Sequence, residues 1–194
     1  MNKTSFFLLI LLGLVSCQGD DIKNTYTLSG KIGYPLSEDF VISDLAVSSV
    51  LLLSNDQVIA SSNGGTFSFE NLEEGKSYTI LPQPSNDEGR NGLSTLDKVQ
   101  IDNYIKGLLV LSPFQKIAAD VNKDNKIDDE DQSRITTCIV QNDNCPTWRF
   151  ASADYDGSGH GYIDQYSVSK LLADQEIIFV PVKLGDVSGT IQPH

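Results

Sequence analysis

Two patterns of hydrophobic spacing divide the chain. From Tyr26 to Leu81, apolar and β-branched residues fall in short runs: TYTLSGKI, SSVLLLS, QVIAS, GTFSFEN and KSYTILP. Asn-Asp, Asn-Gly-Gly and Glu-Glu-Gly turn signals separate them. Alternation over Thr66-Phe67-Ser68-Phe69 and Tyr78-Thr79-Ile80 gives each strand one buried face, which predicts a small antiparallel sandwich. Pro82 and Pro84 end this pattern, and PQPSNDEGRNG has the composition of a loop, so a boundary falls near Gln83. Beyond it the spacing becomes helical. Leu93, Ile101, Ile105 and Leu108 share one face from about Ser94 onward, with Ser94 or Thr95 as the cap. A second helix should begin near Asp128 or Asp129 and turn Ile135, Cys138 and Ile139 inward.

The amino terminus, MNKTSFFLLILLGLVSC, has an early lysine and an apolar run from Phe6 to Val15 that is too short to span a bilayer permanently. It reads as a secretory signal. Its end, Leu14-Val15-Ser16-Cys17, resembles the lipobox of bacterial lipoproteins, which implies that Cys17 becomes the lipidated first residue. An ordinary signal peptide with an incidental Cys17 is the alternative. The resemblance implies a signal over residues 1–16 and a lipid anchor; the polar Gln18-Gly19-Asp20-Asp21 suits a short tether over 17–24, and its acidic run resembles the one that in some Gram-negative lipoproteins accompanies export to the outer face, so the expected location is the outer membrane at the cell surface.

The chain carries 14 Lys and Arg against 26 Asp and Glu, a balance that repels nucleic-acid backbones and anionic lipid headgroups. Clustered carboxylates are also what hard cations require. In an exported chain, Cys138 and Cys145 are expected to form a disulfide. A reactive or metal-binding pair would need a further ligand that the neighbouring sequence does not offer.

The acidic residues cluster most tellingly in DVNKDNKIDDED, Asp120 to Asp131. An EF-hand-type loop takes calcium with oxygens at positions one, three, five, seven through a carbonyl, nine and twelve. Those positions are Asp120, Asn122, Asp124, Lys126, Asp128 and Asp131, and Ile127 supplies an inward-packing apolar residue among them. Asn125 stands at position six, where glycine is usual, and asparagine tolerates the left-handed backbone needed there. Asp131 replaces the usual glutamate and shortens the last carboxylate by one methylene. Magnesium suits the loop less well because it holds its waters in strict octahedral geometry.

Two family resemblances follow from quoted phrases. GTFSFENLEEGKSYTILP resembles the carboxypeptidase-regulatory-like and prealbumin or Cna-B-like sandwiches, which implies a non-catalytic β-domain over residues 25–83. The calcium loop and its helix resemble dockerin, and STLDKVQIDNYIKGL, FQKIAADVN, TWRFASADY and KLGDVSG, in that order, resemble a dockerin-like domain over 84–194. The resemblance implies a mixed, two-domain chain: an all-β Ig-like sandwich, then a mainly α calcium-loop domain with some C-terminal β. Trp148 and Phe150 are expected to bury against the helices. The earlier half of such a module should have its own loop, and NDEGRNGLSTLD, Asn86 to Asp97, reads as a degenerate one. Arg90 falls at its fifth position and Asp97 at its twelfth, with Asp87, Glu88 and Ser94 as further candidate ligands. ADYDGSGHGYID offers Asp156, Ser158, His160 and Asp164, but Ser167 would then stand at position twelve, so a glycine-rich turn is the preferred reading.

Catalysis has little support. The two histidines, His160 and His194, are too few for a zinc triad or a histidine-based nucleophile relay, and no P-loop or nucleophile-elbow spacing occurs. The expected function is non-enzymatic: a calcium-binding surface lipoprotein whose dockerin-like helices bind another envelope or surface protein, cohesin-like or part of an outer-membrane complex. Asp129 and Glu130, standing before the twelfth ligand where cellulosomal dockerins often carry a serine-threonine pair, weaken the cohesin version. A structural accessory subunit of a transport or assembly complex, or a polysaccharide-binding or polysaccharide-degrading accessory protein, are the alternatives.

Overall fold

The computed structural model describes residues 23–35, 40–85, 90–143, 145–158 and 160–190. Cys17 and the first four positions of the expected degenerate loop, 86–89, lie outside them. No helix of the described residues is long and apolar enough to cross a membrane.

Six strands come first: β1 (Thr25–Pro35), β2 (Phe40–Ile42), β3 (Val47–Ser54), β4 (Gln57–Asn63), β5 (Thr66–Glu73) and β6 (Tyr78–Pro84); the five runs read as strands account for all of them except the short β2. The helices are α1 (Thr95–Ile105), α2 (Pro113–Ala119) and α3 (Asp129–Gln141), and three more strands follow: β7 (Trp148–Ser152), β8 (Tyr166–Val168) and β9 (Gln175–Lys183). One sheet is ordered β2-β1-β9-β7, with β5 also paired to β1; the other is ordered β4-β3-β6-β8. Alternation works as read from the sequence: Phe67, Phe69 and Leu72 of β5 are buried while Thr66, Ser68 and Glu70 are exposed.

The sheets draw on both sides of Gln83. β8 pairs antiparallel with β6, and β9 lies parallel to β1, aligning Gly30 with Ile177 and Ile32 with Phe179. A Cβ at Gly30 would collide with the Ile177 carbonyl oxygen and the Phe67 ring, so glycine permits this close approach of β1 and β9. One core cluster lies between the sheets and joins Leu28, Ile32, Val50, Leu52, Phe67 and Ile80 to Trp148, Phe150, Ile177 and Phe179. Trp148 and Phe150 therefore bury in the sandwich and not, as expected, against the helices. The pleat of β7 sends them to one face and leaves Arg149 and Ala151 for the other.

That other face carries the helices. Ala151 and Val182 of the sheet join Ile101, Ile117, Ala118, Ala119, Val121, Ile135 and Val187 in a second cluster. Burial on both faces explains why β9 is covered without interruption from Phe179 to Lys183. Ser94 caps α1 as read, and Ile101 is fully buried, but Ile105 and Leu108 are 42% and 75% exposed. The helix ends at Ile105, and Gly107, at φ 71°, turns the chain before Leu108 could reach the core. Helix α2 was not foreseen; Ser112 and Gln115 form its capping box around Pro113. Helix α3 buries Ile135 and Cys138, and Cys138 is bonded to Cys145, as expected.

Candidate functional site

The loop from Asp120 to Asp131 is strung between two helices that fix both of its ends. Asp120 is the carboxyl-terminal cap of α2, and Asp128 is the amino-terminal cap of α3. Within it, Lys123 and Asn125 hold the left-handed backbone, at φ 63° and 65°, so asparagine at position six takes the conformation glycine would supply. Ile127 packs against the helical cluster.

The side-chain oxygens face into the loop. Asp120 accepts from the N–H of Asp124 through Oδ1 at 3.0 Å and from that of Asn125 through Oδ2 at 3.1 Å. Asn122 accepts from Asp124 at 2.9 Å, and Asp124 accepts from Lys126 at 2.9 Å. Asp131 is fully buried and reaches back across the loop. Its Oδ1 accepts from Val121 at 2.7 Å and Asn122 at 3.2 Å, and its Oδ2 accepts from Asp128 at 2.9 Å.

Burial raises the Asp131 carboxyl above the usual range, and the charge of Asp120 adds to the rise; the three backbone donors oppose it. Asp120 is 6% exposed, so two buried carboxylates share one short loop. Among the described residues no three His, Cys, Asp or Glu side chains are gathered as a metal-holding group. The donors are nevertheless of the right kind: carboxylate, amide and carbonyl oxygens suit a hard divalent cation, and a cation would relieve the repulsion between Asp120 and Asp131.

Asp97, the expected twelfth residue of the degenerate loop, is also fully buried. The fifth residue of that loop, Arg90, points elsewhere and donates from Nη1 to the Ile139 carbonyl at 2.5 Å. Asp97 is met instead by the segment 186–190 near the other end of the chain. Its Oδ1 accepts from the Ser188 N–H at 2.8 Å, as Asp131 accepts from Asn122. Its Oδ2 accepts from the Ser94 N–H at 2.7 Å, as Asp131 accepts from Asp128. Asp186 Oδ1 accepts from Thr190 at 2.9 Å, as Asp120 accepts from Asp124. The turns agree too: Gly189 donates to the Asp186 carbonyl, and Lys123 to the Asp120 carbonyl, each at 3.4 Å. Gly189 and Lys123 have φ of 69° and 63°.

The segment 186–190 thus stands where positions one to five of a loop would stand, and Ser94 to Asp97 where nine to twelve would. The helical layer contains one loop-and-helix unit made of continuous chain and a second whose loop is divided between distant segments. A sequence signal for the second existed in the echo of Asp120-Val121-Asn122 by Asp186-Val187-Ser188.

The third acidic stretch is a turn. Asp156 accepts from the N–H and the hydroxyl of Ser158, both at 2.8 Å, while Asp164 turns away to Arg149, whose Nε lies 3.0 Å from Asp164 Oδ2. Arg149, unremarked in the sequence, also places Nη1 3.9 Å from Asp120 Oδ2. No protein family, curated protein or solved structure matches the chain.

Proposed function

We propose that the chain is a non-enzymatic, calcium-binding surface lipoprotein that docks another envelope or surface protein through its dockerin-like helical layer. The observation that carries the reading is the doubled loop, since two matching loop-and-helix units side by side are the plan of a dockerin-like module. In the continuous loop, Asp120, Asn122, Asp124, Asp128 and Asp131 would hold calcium with side-chain oxygens and Lys126 with its carbonyl. The ion supplies a fixed double positive charge that neutralises two buried carboxylates and pins the start of α3.

Exposed apolar side chains support a docking role for this layer. Leu96 and Val99 on α1, Leu108 and Val110 after it, and Val140 on α3 are each more than half exposed. The sandwich then serves as the platform, and Cys17 as the attachment point. The test is a pull-down of tagged, lipidated protein from native envelopes with and without a calcium chelator, reading bound proteins by mass spectrometry. A specific partner lost on chelation is the expected result. A partner that persists in chelator would make calcium at most structural and the chain a complex subunit; no partner at all would defeat the docking reading.

A further inference from the structure

Arg149 stands behind the first ligand of the calcium loop, on a different element. With Trp148 and Phe150 committed to the sandwich core, the pleat of β7 turns Arg149 toward the helices. Its side chain is only 15% exposed and lies between two carboxylates. Nε is 3.0 Å from Asp164 Oδ2, and Nη1 is 3.9 Å from Asp120 Oδ2. Asp164 is itself fixed, because its Oδ1 accepts from the Phe150 N–H at 3.2 Å and its backbone holds φ 65°.

Asp120 therefore faces a cation of the protein on one side and the calcium loop on the other. Two positive centres that share one nearly buried carboxylate repel each other through a medium that screens weakly. We infer that Arg149 is the resident counter-cation of the loop: it steadies the Asp120 carboxylate when no ion is bound, and it weakens calcium binding by repelling the ion. Asp164 sets the strength of this effect by drawing the guanidinium away from Asp120. Arg149 acts here as a positioning residue that tunes affinity and is not itself a ligand. The inference rests on the reading of Asp120 to Asp131 as a calcium site.

Calcium titration calorimetry on the purified full-length chain, stripped of metal, tests it with three proteins: wild type, Arg149→Met and Asp164→Asn. Methionine keeps an apolar stem of similar reach without the charge, and asparagine keeps the oxygen that Phe150 uses. Arg149→Met should bind calcium about tenfold more tightly or better, because one nearby positive charge is gone. Its melting temperature without calcium should fall while the calcium-induced rise widens. Asp164→Asn, which frees Arg149 to lean on Asp120, should bind severalfold more weakly.

Equal or weaker binding by a folded Arg149→Met overturns the inference while leaving the calcium site standing. If Arg149→Met does not fold, unchanged binding by Asp164→Asn overturns it instead. Absence of binding by all three proteins removes the calcium reading and this inference together.

Discussion

Replacing Asp131 by alanine deletes the acceptor for three backbone N–H groups at once: Val121, Asn122 and Asp128. Val121 also donates to the Ala119 carbonyl at 3.0 Å, so it keeps a partner. Each bond to a charged acceptor contributes about 1.5 kcal/mol or more, but the substitution also relieves the burial of a charge beside Asp120. The net loss without calcium should be about 3 kcal/mol, or about 6–12 °C in melting temperature for a chain of this size. Asp97→Ala removes the acceptor for Ser94 and Ser188 and should cost about the same. Calcium separates the two variants. At about one hundred times its dissociation constant the ion should stabilise wild type by about 2.7 kcal/mol. Asp97→Ala should keep a calcium-dependent rise, since the side chains from Asp120 to Asp131 proposed as ligands are untouched, and Asp131→Ala should lose it. Differential scanning calorimetry of wild type and both variants, in chelator and in calcium, reads all six states. A loss below about 1 kcal/mol for Asp131→Ala in chelator would refute the role given to its three hydrogen bonds.

Gly30→Ala forces a Cβ against the Ile177 carbonyl oxygen and the Phe67 ring, and should cost about 3 kcal/mol in denaturant unfolding; a neutral result would mean that β1 and β9 are not so closely paired. Reducing the Cys138–Cys145 bond, which closes a short loop between α3 and β7, should lower stability by about 2 kcal/mol, measured as the shift in urea midpoint with and without reductant. The Tyr34 phenol is pushed up from 10.0 to about 12 by burial and by the charge of Asp186. The unfolded chain gives up that proton first, so the stability it represents is intact below the ordinary value and is lost as pH rises from about 10 through about 12. Tyr34→Phe should flatten this alkaline loss in denaturant midpoints taken across that range, and an unchanged slope would contradict the assignment.

The sandwich was legible because Thr66 to Phe69 of β5 and the residues of β6 from Tyr78 alternate, and because turn residues mark the corners between β3 and β4, β4 and β5, and β5 and β6. What could not be read was the source of its remaining strands. The parallel pairing of β9 with β1 joins residues nearly 150 positions apart, such as Ile32 and Phe179, and local periodicity carries no record of such a partner. The same limit misdirected Trp148 and Phe150, whose burial is evident from type while the face they occupy depends on two layers meeting at β7. Ile105 and Leu108 fitted a helical face on spacing alone, yet the helix stops before the core reaches them. Helix α2 is too short to show a period, although Ser112-Pro113 with Gln115 two residues on was a usable capping signal.

At the candidate site, the continuous loop could be located from the sequence because Asp120 to Asp131 are twelve consecutive residues between two helices. The divided loop was not. Asp97 and Ser188 are 91 positions apart, and the register that led to Asn86 sought the first half of the loop immediately upstream of the second. Arg149 left no trace in the sequence, because its relation to Asp120 is made entirely by the packing of β7 under the helices.

If a cation in the loop Asp120 to Asp131 organises the helical layer, its binding must change how readily the backbone there opens to solvent. Hydrogen–deuterium exchange of the full-length chain, with and without calcium, reads this opening residue by residue. Calcium should slow exchange of the backbone N–H groups of Val121, Asn122, Asp124 and Asp128 and of the first turn of α3, while the amides of β3 and β6 stay as they were. Exchange in the loop that is unaltered by calcium at millimolar concentration would mean that no cation organises it.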